Sequence, residues 1–188
     1  MTVADAIRHI VLIGCRGSGK TTVGRRLAAM LDVPHVDTDE VIETEAGKSI
    51  AEIFAAEGES GFRRRESIAV ERAADRLPSV ISLGGGAVMD ESNMRRLAGS
   101  SRIVYLSGSV DVLAKRIAGD PATRTARPSL TGKAMIDEIG DILAERDPVY
   151  RRWAELVVDT DGMSPDEIAA AIRTRFRPIL VRCGRGPE

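Results

Sequence analysis

At 188 residues and 20.2 kDa the chain has the length of one domain with a full hydrophobic core. Apolar residues make up 43% and charged residues 29%, which excludes a disordered chain, and no run approaches the ~20 apolar residues of a membrane span. A formal net charge of -1 gives no general attraction to nucleic acid, so neither nucleic acid nor membrane is an expected partner.

The opening MTVADAIRHIVLIG carries Asp5 and His9 and runs straight into a glycine-rich loop, so no secretory leader is expected and a cytoplasmic location is. Residues 10–13 form the first apolar strand, GCRGSGKTT follows, and a helix is expected over 20–30 with Val23, Leu27 and Met30 on one side. Gly14, Gly19, Lys20 and Thr21 satisfy G-x-x-x-x-G-K-[ST] between a strand and a helix, the context in which backbone N–H groups converge on phosphate oxygens. Gly14, Gly17, Ser18, Gly19, Lys20, Thr21 and Thr22 are therefore the candidate phosphate-binding set. Lys20 would reach the β- and γ-phosphates, and the Thr21 hydroxyl would complete the shell of a Mg²⁺ ion. Cys15 inside the loop and Cys183 in the tail have neither metal-site nor disulfide spacing, and His9 and His35 read as ordinary structural or surface histidines.

A short strand at 34–36 delivers Asp37-Thr38-Asp39 to the carboxyl end of a parallel sheet, where α/β folds place ligands. On extended backbone both aspartates would face one side, one for Mg²⁺ and the other for a substrate hydroxyl. Asp37 also suits the N-cap of a following helix. Within the helical region 40–75, Ser49 can cap a helix that Gly58 interrupts, and 62–76 reads as a long helix ending before Pro78. Arg63 and Glu66 stand three apart, so the carboxylate can fix a guanidinium aimed at a small acid, while Arg64 and Arg65 read as solvated.

The strand at 80–83 runs into Gly84, Gly85 and Gly86, whose missing side chains suit close approach of a ligand to the backbone. After a fourth strand at 103–106, residues 119–133 have no helix or strand period and are rich in Gly, Pro, Thr and Arg, as a lid would be. Arg127 in this lid segment and Arg146 beyond it are further anion-binding candidates. A last strand at 156–158 precedes a helix capped by Ser164 and opened by Pro165; Arg177-Pro178 is expected to end it, leaving 177–188 as an extension. Short apolar runs between amphipathic helices mark an α/β fold with a mostly parallel sheet covered on both faces.

These elements, in this order, resemble the shikimate kinase family. The likeness rests on GCRGSGKTT, Asp37 to Asp39, Phe62 to Glu66, Leu83 to Ala87, Arg127-Pro128 and Arg146 to Tyr150, and spans about residues 10–175. It implies a three-layer α/β/α P-loop kinase with a central five-stranded sheet and a lid, one kinase domain over 1–188. It further implies transfer of the γ-phosphoryl group of ATP, with Mg²⁺, to the 3-hydroxyl of shikimate, by a monomer with no obligate protein partner. By the same resemblance Asp39, Phe62, Arg63, Arg146 and Gly84, Gly85 and Gly86 bind shikimate, Asp37 supports Mg²⁺, Lys20 and Arg127 stabilise the transferred group, and Arg116 lies near the adenine. The lid departs from the family in reading RPSL, and the stretch between Arg116 and Arg127 is longer than the shortest family lids. A kinase of the same fold acting on gluconate or a nucleotide is the nearest rival, and a noncatalytic ATP binder the next.

Overall fold

The computed structural model describes residues 7–119 and 135–180. Its centre is a five-stranded, fully parallel sheet formed by β1 (His9–Ile13), β2 (His35–Asp37), β3 (Ser79–Ser82), β4 (Ser101–Ser107) and β5 (Leu156–Asp159), in the order β2-β3-β1-β4-β5. All five expected strands are present, and each apolar run lies within or overlaps its strand. Parallel strands need crossovers, and the helices that supply them bury both faces of the sheet.

β1 shows how the two faces are filled. Ile10 and Leu12 pack with Val23, Leu27, Val104, Ile168, Ile172 and Phe176, beneath α1 (Lys20–Leu31) and the C-terminal helix α7 (Pro165–Leu180). Val11 and Ile13 point the other way, into a core with Val70, Ile81, Met94, Leu97, Tyr105, Leu113 and Tyr150. That side is roofed by α3 (Ile50–Ala74), α4 (Glu91–Ala98), α5 (Val110–Gly119) and α6 (Met135–Trp153). A separate small core of Ile42, Ile50, Ile53, Phe62 and Ala69 joins α2 (Thr38–Ala46) to α3.

Two helical expectations hold and one changes. Gly58 interrupts α3 as expected: it alone is non-helical, with φ 67°. Glycine takes this conformation without a β-carbon clash, so the helix turns there and resumes. Ser49 caps it as expected, in a reciprocal capping box with Glu52. α7 continues past Arg177-Pro178 to Leu180, because a proline in the last turn removes only one helical hydrogen bond. Most of the lid segment at 119–133, Arg127 included, and residues 181–188 of the extension lie outside the described residues.

Candidate active site

The phosphate loop leaves β1 and enters α1 through Gly19, in left-handed conformation at φ 89°. At Gly14, φ is 147° and a β-carbon would stand 2.6 Å from the carbonyl oxygen of Leu106, so only glycine fits. The Lys20 ammonium folds back over the loop and donates to the carbonyls of Gly14 at 2.8 Å and Cys15 at 3.0 Å. Ser18 is buried in the loop and Thr22 is exposed on the first turn of α1. Burial pushes the Cys15 thiol above its ordinary pKa, so the loop cysteine is a neutral packing group.

Thr21 Oγ1 donates to Asp37 Oδ2 at 2.7 Å. The other Asp37 oxygen accepts the backbone N–H of Asp39 at 3.0 Å and caps α2. Asp37 thus caps α2 with one oxygen and holds the Thr21 hydroxyl with the other. The expectation that extended backbone carries both aspartates fails, since β2 ends at Asp37 and Asp39 already belongs to the first turn of α2. The helical turn nevertheless brings Asp39 to the glycine loop, because a β-carbon on Gly84 would meet Asp39 Oδ1 at 2.8 Å.

Around those glycines the remaining candidates gather. Arg63 Nη1 donates to Glu66 Oε2 at 2.6 Å, and Nη2 to Glu59 Oε1 at 3.3 Å. The Glu66 side chain is only 1% exposed while that of Arg63 is 32% exposed, so a buried carboxylate anchors a guanidinium whose free edge reaches solvent. Burial alone would lower the Arg63 pKa, but Glu66 and Glu59 outweigh it and hold it above its ordinary value. A β-carbon on Gly86 would stand 2.4 Å from Arg63 Nη1, and one on Gly85 would stand 3.8 Å from Arg146 Nη1. Two guanidinium groups, from α3 and α6, therefore converge on one glycine loop. The same hypothetical Gly85 carbon lies 3.3 Å from the Gly14 carbonyl oxygen, which puts this loop directly beside the phosphate loop.

A family model for shikimate kinase matches residues 16–177. The chain belongs to the shikimate kinase family. A shikimate kinase from Rhodopirellula baltica is 46% identical over 165 residues, 88% of each chain. One from Syntrophus aciditrophicus is 41% identical over 178 residues, 90% of this chain and 91% of the other. Among solved structures, shikimate kinase from Acinetobacter baumannii in complex with shikimate matches with a TM-score of 0.84 and 32% identity, over 96% of this chain and 97% of that one. As a member of the shikimate kinase family the chain is an ATP-dependent kinase.

Several anchors of this shikimate kinase site escaped the sequence reading. Thr38 is fully buried; its hydroxyl accepts the Gly84 N–H at 2.9 Å and donates to the Ser82 carbonyl at 3.4 Å. Tyr150 Oη donates to the Gly85 carbonyl at 2.7 Å, and its ring stacks on Tyr105, whose hydroxyl donates to Asp147 at 2.9 Å. α6, which carries Arg146, is thereby tied to the glycine loop. Burial raises the Tyr150 pKa well above its ordinary value, so it remains a donor throughout the working range.

Phe62, expected to line the substrate pocket, is fully buried and stacked on Phe54 at 4.6 Å, with the Arg63 guanidinium over its ring. Arg65 is paired with Glu57 through bonds of 2.9 and 2.8 Å across the Gly58 kink, whereas Arg64 is exposed as expected. Arg116 bonds to the Thr160 side chain at 2.9 Å and to its carbonyl at 2.8 Å, which holds it beside Gly17.

Proposed function

We propose that this kinase transfers the γ-phosphoryl group of ATP to the 3-hydroxyl of shikimate, yielding ADP and shikimate 3-phosphate. The observation that carries the reading is the convergence of Arg63 and Arg146 on Gly84, Gly85 and Gly86, with Asp39 at the same loop and the phosphate loop alongside. Two planar cations suit a ring carboxylate, and one carboxylate nearby suits a ring hydroxyl.

In this reading the acid is gripped by Arg63 and Arg146 while its ring rests on the glycine backbone. Asp39 accepts a hydrogen bond from the hydroxyl and so aims its oxygen at the γ-phosphorus, which removes much of the entropic barrier. As the new P–O bond forms, the bond to the ADP oxygen breaks and the hydroxyl proton passes late to Asp39, so a strong base is not needed. Lys20 and the loop N–H groups of Gly17, Ser18 and Gly19 carry the charge on the phosphoryl oxygens, with Arg127 joining from the lid. Thr22 follows on the same helix turn, and Arg116 offers its guanidinium to the adenine side.

Thr21 and Asp37 would hold Mg²⁺, since the pair presents a hydroxyl and a carboxylate oxygen of the hard kind this ion takes. When bound, the ion neutralises phosphate charge. Among the described residues no cluster of three or more His, Cys, Asp or Glu side chains is arranged as a metal cage, and an ion that keeps several waters needs none. We further infer a cytoplasmic monomer that needs no protein partner, nucleic acid or membrane. Among the described residues no helix is long and apolar enough to cross a membrane.

ADP release measured with shikimate, gluconate and nucleoside monophosphates tests the acceptor. Shikimate should be preferred, and Arg63→Ala should abolish that preference while ATP binding persists; equal or faster turnover of gluconate would sink the assignment. Light scattering of the full chain should give the mass of one copy.

A further inference from the structure

A half-buried polar chain beneath the first turn of α1 takes part in none of these steps. Ser82, 1% exposed on β3, donates from Oγ to the Lys20 carbonyl at 3.0 Å, and His35 Nε2 lies 2.9 Å from Ser82 Oγ. A carbonyl only accepts, so the Ser82 proton is committed to Lys20 and Ser82 Oγ must accept from His35 Nε2–H. The chain therefore runs in one direction, from imidazole to hydroxyl to helix carbonyl.

Gly24 supplies an independent sign that this pair is built in. Glycine is the poorest helix former after proline, and Gly24 has neither positive φ nor a helix end to justify it. Its place is explained by space: a β-carbon there would stand 2.6 Å from His35 Nε2 and 2.7 Å from Ser82 Oγ. Any larger residue would turn both side chains out of their hydrogen bonds. Ser82 is also in register with Asp37 on β2 and with Leu12 on β1, so it sits between the strand that carries Asp37 and the strand that leads into the phosphate loop.

We propose that His35 and Ser82 are positioning residues for ATP: they fix the Lys20 carbonyl, and with it the turn bearing Lys20 and Thr21, against β3. This rests on ATP use and is independent of which acid is the acceptor. The test is nucleotide affinity measured directly by calorimetry with ATP and no acceptor, together with both KM values and the melting temperature of the free protein. Ser82→Ala should weaken ATP about five- to tenfold, the effect of losing a neutral buried hydrogen bond. His35→Leu should weaken it less, and His35→Gln, which keeps a donor, should recover most of that loss. Gly24→Ala should also weaken ATP although alanine is the better helix former, and the acceptor KM should stay within about twofold in every variant. Folded variants that lose melting temperature but keep ATP affinity, or in which both KM values rise together, would overturn the proposal.

Discussion

The phosphate loop draws Gly14 through Thr21 from one unbroken stretch of chain, whereas the proposed acceptor side draws Asp39, Arg63, the three glycines and Arg146 from four distant segments. The first needs only a strand, a loop and the start of α1 to be in shape. The second depends on buried anchors: Glu66 under Arg63, Thr38 on Gly84 and Tyr150 on Gly85. A contiguous site can therefore lose a functional group with little loss of fold, while a distributed one couples binding to stability.

The largest effect should fall on the contiguous side. Lys20→Ala should reduce kcat by about a thousandfold, as expected for losing a charge-stabilising group, with little change in melting temperature. A large drop in melting temperature would erase the contrast between the two regions. On the distributed side, Arg63→Ala should lower kcat/KM for the acceptor by about a hundredfold and destabilise the protein as well, because Glu66 is left charged and buried. Adding Glu66→Gln to Arg63→Ala should restore melting temperature but not acceptor binding; recovery of both would mean that Arg63 serves the fold alone.

Tyr150→Phe sharpens the comparison at a smaller scale. Loss of the 2.7 Å bond to Gly85 should raise the acceptor KM about fivefold and leave the ATP KM within about twofold. Steady-state kinetics with each substrate varied in turn would check this split.

The contrast also explains what could be read before the fold was known. The five strands were legible because each is a short apolar run, and the phosphate loop because its geometry follows from consecutive residues. Arg63 and Glu66 were legible as a helical pair. Asp39 does reach the glycine loop, but not on extended backbone, since the Asp37 cap starts α2 at Thr38, two residues before the expected helix start at Glu40. Thr38, Ser82 and Tyr150 were not legible as anchors, because their partners are 46, 62 and 65 residues away. A weak signal did exist at Ser82, a hydroxyl inside the apolar run 80–83.

The smallest effect concerns the frame beneath both regions. His9 is fully buried on β1, within 3.0 Å of Ser79 Oγ and 3.2 Å of the Ala74 carbonyl, and burial lowers its pKa from 6.5. The unfolded chain then binds more protons than the folded one as pH falls below 6.5, so stability is full above that value and declines beneath it until the folded imidazole is also protonated. Melting temperatures taken on either side of pH 6.5 should show this decline, and His9→Gln should flatten it.

A crystal structure with shikimate and ADP tests the central claim most directly. The account predicts the ring carboxylate between the guanidinium groups of Arg63 and Arg146, with a hydroxyl on Asp39 and the ring against Gly84, Gly85 and Gly86. Shikimate bound with its carboxylate away from both arginines would contradict it.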